Sequence, residues 1–323
     1  MTRGQLAERT RRSIGGDPHA LAQLTQGLFD EAGMASISPS DTGGTNTGYG
    51  DALDPVRAAH CTIRNESQRT GALIRGLYQK VNELRQKYPN RPVRIAELGC
   101  GPLAPIALSV ASLFQPEEVR LLLVDIHNES LAILERLSEK LKLKGHIETL
   151  EQGNLLVGNW GHLRPDIVVL EVMMAALLRE PQGAVTAHLA PQFEPSTLWL
   201  PQKIEVTGSL FHGSETPASK WISLGPICSI DPHFRERARE GTPLQKLISV
   251  KRGFQLPEPL TRTQNLRLHT RVEVIPGIEI PLGSVITKDV ISECNGRAQT
   301  GHRGIHVRYT MGADHVDFHS TES

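Results

Sequence analysis

The residues of this chain whose types and spacing suit chemistry lie mainly between Glu97 and Glu180. In Glu97-Leu98-Gly99-Cys100-Gly101-Pro102-Leu103 an apolar run ends in an acidic residue and passes into a glycine-rich turn. Glycines at such a turn let the backbone come close to a ligand. An acidic side chain there repels a pyrophosphate and suits a cationic or hydroxyl-rich ligand. The next apolar run, Val119–Val124, leads into Asp125, whose carboxylate can accept both hydroxyls of a ribose. A third candidate strand is followed by Gly153-Asn154, where an amide side chain can meet an adenine edge. After a fourth run, Asp166–Leu170, Glu171 and Glu180 bracket an apolar stretch. Two carboxylates folded back onto one cationic group would fit a guanidinium, whose planar fork matches carboxylates bidentately. The alternative is a strand-end glutamate and an unrelated helix carboxylate.

The elements that must position these residues follow from periodicity. Val93–Leu98, Val119–Val124, Ile147–Leu150 and Asp166–Leu170 read as buried strands, with helices over Pro105–Phe114 and Ser130–Leu143. Strands alternating with helices predict a parallel sheet covered on both faces. Ligands bind outside the carboxyl ends of such strands, where all the candidate residues fall. Before this core, Asp17-Pro18 and Asp54-Pro55 read as helix starts. Ile74, Leu77, Val81 and Leu84 stripe a long helix ending near Tyr88. The segment Ser36–Asp51 is rich in Gly, Ser and Thr, and is a candidate lid with Tyr49 reaching inward. After the core, Ile204–Leu210, Val272–Ile280, Ser284–Ile291 and Gly304–Thr310 read as strands of an antiparallel region. The expected fold class is α/β, with a Rossmann-like core over 89–200, a helical N-terminal segment over 1–88 and a β-rich C-terminal domain over 201–323.

Composition narrows the function. The chain has 323 residues, with 35 Lys plus Arg balanced by 35 Asp plus Glu. Zero net charge argues against a dedicated nucleic-acid or anionic-membrane surface. Three Trp, four Tyr and seven Phe make a stacking platform for single strands a poor fit. Cys61, Cys100, Cys228 and Cys294 form no Cys-x-x-Cys pair, so no metal site is expected and the thiols read as reduced. His302 and His306 fall in a β-like run rather than on a helix that would align them as ligands. No apolar run approaches the ~18 residues a membrane span needs. A cytoplasmic protein with no membrane or nucleic-acid partner is expected.

In combination, Glu97-x-Gly99-x-Gly101, Asp125 and Asn154 resemble the motifs of class I S-adenosylmethionine-dependent methyltransferases, over the stretch Val93 to Leu170. The resemblance implies S-adenosylmethionine as cofactor, held by Glu97, Gly99, Gly101, Asp125 and Asn154. The spacing of Glu171 and Glu180 is similar to the double-glutamate loop of protein arginine methyltransferases, as is the order of the three segments. Glu66-x-x-Arg69-Thr70 also looks like that family's acidic-x-x-Arg-Thr helix, which implies that Arg69 holds the methionine carboxylate of the cofactor; Arg75 is a rival on the same helix. The implied activity is methyl transfer to nitrogen of a guanidinium or other cationic small molecule or peptide, with Glu171 and Glu180 catalytic. A homodimer through the β-rich region is compatible with this layout. The chain departs from the family in lacking a Thr-His-Trp segment and aromatic residues between its two glutamates. Gly99-x-Gly101-Pro102-Leu103-x-Pro105 is similar instead to the turn of nicotianamine synthases. That likeness implies aminocarboxypropyl chemistry, including cyclisation of S-adenosylmethionine to azetidine-2-carboxylate with release of methylthioadenosine. Met173, Met174, Ala175 and Ala176 would then wall an apolar pocket. A third possibility is a binding or scaffold role, against which the intact Glu97, Gly99, Gly101 and Asp125 argue.

Overall fold

A computed structural model describes residues 1–37, 45–48, 51–63, 67–212, 217–284, 286–291, 298–313 and 316–321. Tyr49, Glu66, Cys294 and much of the Ser36–Asp51 segment lie outside the described residues. The chain begins with α1 (Arg3–Ile14) and α2 (Pro18–Glu31), followed by a short pair, β1 (Thr45–Asn46) with β2 (Asp51–Ala52), then α3 (Pro55–Ile63) and α4 (Ser67–Lys87). Both Asp-Pro starts form as expected. Asp17 accepts from the backbone N–H of His19 and Ala20. Asp54 accepts from Val56 at 3.1 Å and Arg57 at 3.0 Å. Each carboxylate thereby satisfies amides that a helix start leaves without partners.

The core is β3 (Val93–Leu98), α5 (Pro105–Ala111), β4 (Val119–Asp125), α6 (Asn128–Lys140), β5 (Ile147–Gln152), β6 (Ile167–Leu170), α7 (Gln182–Leu189) and β7 (Leu198–Leu200). Its five strands are all parallel, in the order β5-β4-β3-β6-β7. Strands β3, β4 and β6 are almost wholly buried, which is why they read as unbroken apolar runs. The chain moves outward from β3 to β5 and then returns to the other side of β3. The switch point therefore lies between β3 and β6, and the carboxyl ends of β3 to β6 open on one edge.

Beyond the core, β8 (Lys203–Phe211), β9 (Ile222–Ile230), β11 (Asn265–Ile275), β12 (Ile278–Glu279) and β13 (Val290–Ile291) form one antiparallel sheet. A second contains β10 (Ser249–Gln255), β14 (Gly304–Thr310) and β15 (Asp317–Thr321). Between β9 and β10 lie α8 (Pro232–Arg239) and α9 (Leu244–Ile248). The architecture is thus a parallel α/β sheet joined to an antiparallel region. Two expected strands differ. Val272–Ile280 is the end of β11, a turn at Pro276-Gly277, and β12. Among the described residues of Ser284–Ile291, strand is confined to Val290–Ile291. The Ser284 N–H donates to Thr287 Oγ1 at 3.1 Å, and that hydroxyl donates to the Pro281 carbonyl at 2.7 Å, so side chains take the bonds a ladder would use.

Helix α4 ties the parts together. A Cβ on Gly71 would approach Leu21 of α2, and one on Gly76 would approach Val274 of β11, each to 2.5 Å. Arg235 of α8 is buried over the Trp199 ring of β7 and donates to the Gln202 carbonyl at 3.1 Å. Burial lowers its pKa to about 10. Among the described residues no helix is long and apolar enough to cross a membrane. Asp54→Ala should cost about 1 kcal/mol of stability by removing the α3 cap, read as a lower urea midpoint with unchanged slope.

Candidate active site

A cavity of about 630 Å³ opens at the carboxyl edge of the parallel sheet. That is within the roughly 300–1,000 Å³ range of sites for small ligands. Gly99, Gly101, Asp125, Asn154, Glu97, Arg69, Glu171 and Glu180, all anticipated from the sequence, line this one cavity. Gly99 has φ +75 and Gly101 φ +60, the left-handed region that glycine tolerates. A Cβ on Gly99 would meet Val172 at 2.5 Å, so the turn also packs too tightly there for a larger residue. The Gly101 N–H donates to Asp125 Oδ2 at 2.8 Å and the His127 N–H to Asp125 Oδ1 at 2.9 Å. Each carboxylate oxygen keeps a further lone pair for a ligand hydroxyl. Asn154 Oδ1 accepts from the Leu156 N–H at 2.9 Å, leaving its NH₂ as the group suited to a base edge.

Glu97 lines the cavity but is largely enclosed by the chain's own groups. It is 5% exposed, and its Oε2 accepts from the Ala107 N–H at 2.7 Å. The carboxyl thus anchors the first turn of α5 and shapes the glycine turn from behind. Burial pushes it up to about 8; the Ala107 and Ile106 amides pull the other way, and the charge of Glu171 adds to the rise. Burial also raises Asp125, against the pull of the His127 and Gly101 amides.

Arg69 and Glu171 meet. The Arg69 Nη1 lies 3.2 Å from Glu171 Oε1 and 3.1 Å from Oε2, and its Nη2 donates to the Cys61 carbonyl at 3.3 Å. Arg75 is absent from the described cavity lining. The chain from Glu171 to Glu180 is an irregular loop with a single short turn at Ala175–Leu177. Ala176, Leu177 and Arg179 have φ of +57, +52 and +67. Such conformations cost non-glycine residues of order 1–3 kcal/mol each and persist only when neighbours over-determine them. Here the neighbours come from the antiparallel region. Thr270 Oγ1 of β11 accepts from the Ala176 N–H at 2.7 Å, and the Tyr309 hydroxyl of β14 donates to the Ala176 carbonyl. Gly312 and Ala313 bond the Leu177 carbonyl and the Arg179 N–H, at 2.7 and 3.1 Å. On the core side, Gln182 Oε1 accepts from the Val172 N–H at 2.9 Å.

The sequence reading missed the roof of the cavity. Arg57, Ala58, His60, Cys61 and Thr62 of α3 line it, and a Cβ on Gly101 would lie 3.8 Å from that of Ala58. No local signal marks α3 as the covering helix. His127 was missed too, although its place two residues past Asp125 was a usable signal. With Glu97 protonated, three carboxylates, Asp125, Glu171 and Glu180, and two guanidinium groups, Arg57 and Arg69, line the cavity, a small acidic excess that suits a cation-bearing ligand better than a polyphosphate.

The chain matches the PRMT1 enzyme–prozyme heterotetrameric complex of Trypanosoma brucei with AdoHcy at a TM-score of 0.52 and 11% identity, over 76% of this chain and 85% of that one. It matches protein arginine methyltransferase 10 of Arabidopsis thaliana, solved in a uniquely open conformation, at a TM-score of 0.52 and 9% identity, over 75% and 84%. No protein-family model and no curated protein matches the sequence. At these identities the likeness is one of fold. The chain shares the overall fold of these two structures, a Rossmann-like core followed by a β-rich region.

Two outcomes follow from this geometry. Tyr309→Phe leaves a buried carbonyl without its donor and should cost about 1–3 kcal/mol in urea unfolding. Because Glu97 holds its proton to about pH 8 in the folded chain and loses it near 4.5 when unfolded, the native state binds the extra proton between these values. Its stabilising contribution is full below pH 4.5 and is lost as pH rises toward 8, with a slope of up to about 1.4 kcal/mol per pH unit. Glu97→Gln should flatten that slope in unfolding measured across this range.

Proposed function

We propose that this protein is an S-adenosylmethionine-dependent methyltransferase whose acceptor is a nitrogen of a guanidinium or other cationic small molecule or peptide. The observation that carries the reading is the convergence of Asp125, the Gly99–Gly101 turn, Arg69, Glu171 and Glu180 on one cavity. The fold likeness adds to it, since one matched structure is a complex with AdoHcy.

The residues fit the cofactor. Asp125 would take the ribose hydroxyls, the Asn154 amide the adenine edge, and Arg69 the carboxylate of the methionine portion. The close backbone of Gly99 and Gly101 would leave room for the ligand along the turn. When bound, S-adenosylmethionine supplies an electrophilic methyl group on a sulfonium. Glu171 and Glu180 would orient the acceptor, draw its positive charge away from the attacking nitrogen, and accept a proton late. Helix α3 would keep water from the nucleophile.

A second reading is favoured by one feature of the same site. Glu171 is ion-paired to Arg69, and Val172, Met173, Met174 and Val185 give that part of the cavity an apolar wall. This suits aminocarboxypropyl chemistry, in which S-adenosylmethionine is cyclised to azetidine-2-carboxylate with methylthioadenosine released.

Mass spectrometry of the protein incubated with S-adenosylmethionine alone separates the two. Methylthioadenosine with a new small amino acid would replace the methyltransferase reading with the second. Intact S-adenosylmethionine, followed by S-adenosylhomocysteine when free arginine or arginine-rich peptides are added, is the outcome expected. Asp125→Ala should abolish S-adenosylmethionine binding in a folded chain. Glu171→Gln and Glu180→Gln should each lower kcat by about 10²-fold or more, and full activity in both would end the guanidinium assignment.

A further inference from the structure

Two guanidinium groups stand among the described residues that line the cavity, Arg57 and Arg69, and each meets a carboxylate of the chain itself. Arg57 Nε lies 3.2 Å from Asp54 Oδ2, and the Arg57 side chain is largely exposed. Arg69 Nη1 lies 3.1 Å from Glu171 Oε2, and there both side chains are mostly enclosed, 11% and 16% exposed. No lysine is among the described lining residues. A ligand that brings a carboxylate to Arg69 therefore meets an anion already seated on it. Exposed ion pairs are weak, whereas a pair shielded from water is costly to break unless each charge finds a new partner. A ligand carboxylate gives Arg69 an equal partner. It gives Glu171 none, and sets a second anion beside it, so the two repel.

We infer that Glu171 is a selectivity-determining residue that competes with the ligand's carboxylate for Arg69. The inference rests on the adenosyl reading of the cavity. It reconciles two roles that the ion pair sets against each other. While they hold one another, Arg69 does not give its full charge to a ligand carboxylate, nor Glu171 to a cation. As the carboxylate draws Arg69 off, Glu171 is turned over to a cation that accompanies it, the ligand's own ammonium or that of an acceptor. The cost of displacing Glu171 is offset only when such a cation is present. The cavity thus selects a zwitterionic amino-acid end over a bare acid of the same length.

The test measures binding of three adenosyl ligands by calorimetry. They are S-adenosylhomocysteine, 4-(adenosylthio)butanoate, which is the same molecule without its amino group, and methylthioadenosine, which carries neither charge. The proteins are the wild type, Glu171→Gln and Arg69→Gln, each checked for an unchanged thermal transition. Glu171→Gln should bind the butanoate about tenfold more tightly than the wild type does, and methylthioadenosine within about twofold of it. S-adenosylhomocysteine should gain less than the butanoate, because its ammonium loses an anion as its carboxylate loses a competitor. Arg69→Gln should bind the butanoate no more tightly than methylthioadenosine. A merely structural role for Glu171 would weaken all three ligands together, and that result overturns the assignment. So does a butanoate affinity in Glu171→Gln that is no higher than in the wild type. If Glu171→Gln does not fold, Glu171→Asp, which withdraws the carboxylate by one methylene, decides by the same comparison. Binding of none of the three ligands by the wild type would overturn the adenosyl reading, and this assignment with it. Binding of methylthioadenosine with no gain for the butanoate on substitution of Glu171 overturns this assignment alone.

Discussion

Two carboxyl groups, Glu97 and Asp125, are buried at the ends of adjacent parallel strands, and the surrounding chain is arranged to satisfy them. Glu97 takes an amide from the first turn of α5, and Asp125 takes the Gly101 and His127 amides. Buried polar groups without partners cost several kcal/mol, so these bonds fix where the glycine turn runs and where the following helices start. The turn can make them because Gly99 and Gly101 reach backbone angles closed to most residues. Loop shape, helix entry and the placing of an acidic edge over the cavity thus share one cause.

The second constraint acts from the far side of the chain. The Glu171–Glu180 loop carries three non-glycine residues in the left-handed region, and the bonds that hold them there come from Thr270, Tyr309, Gly312 and Ala313. The antiparallel region therefore shapes the candidate site although none of its described residues lines the cavity. Burial keeps the Tyr309 phenol well above its ordinary pKa, so it remains a donor to the Ala176 carbonyl. Gly76 of α4, close against Val274 of β11, brings the helix bearing Arg69 to the same junction. The Arg69–Glu171 contact joins an N-terminal helix to a core loop that is itself shaped by C-terminal strands.

Much of the core was legible because its signals are short-range. β3, β4 and β6 are apolar runs buried on both faces, and the Asp-Pro starts of α2 and α3 depend on residues a few positions apart. Gly304–Thr310 formed as a strand where alternation indicated one. β9 was not legible: Gly225 and Pro226 interrupt it, and its register against β8 shifts twice. Ser284–Ile291 looked extended because its Val and Ile residues suit a strand, but the Ser284 and Thr287 hydroxyls won the local backbone groups.

For the site, local pattern was enough to tell which residues stand at the strand ends. Glu97, Gly99, Gly101, Asp125, Asn154 and Glu171 follow from where each strand stops, and a parallel sheet brings strand ends to one edge. Tertiary structure alone decided what those residues face. Arg69 pairs with Glu171 across 102 residues of sequence, α3 rather than another helix closes over the glycine turn, and the glutamate loop takes a shape that only its distant partners hold. The reason is that strand ends obey local periodicity, while ion pairs, roofs and strained loops depend on contacts between segments whose spacing in sequence carries no record of their meeting.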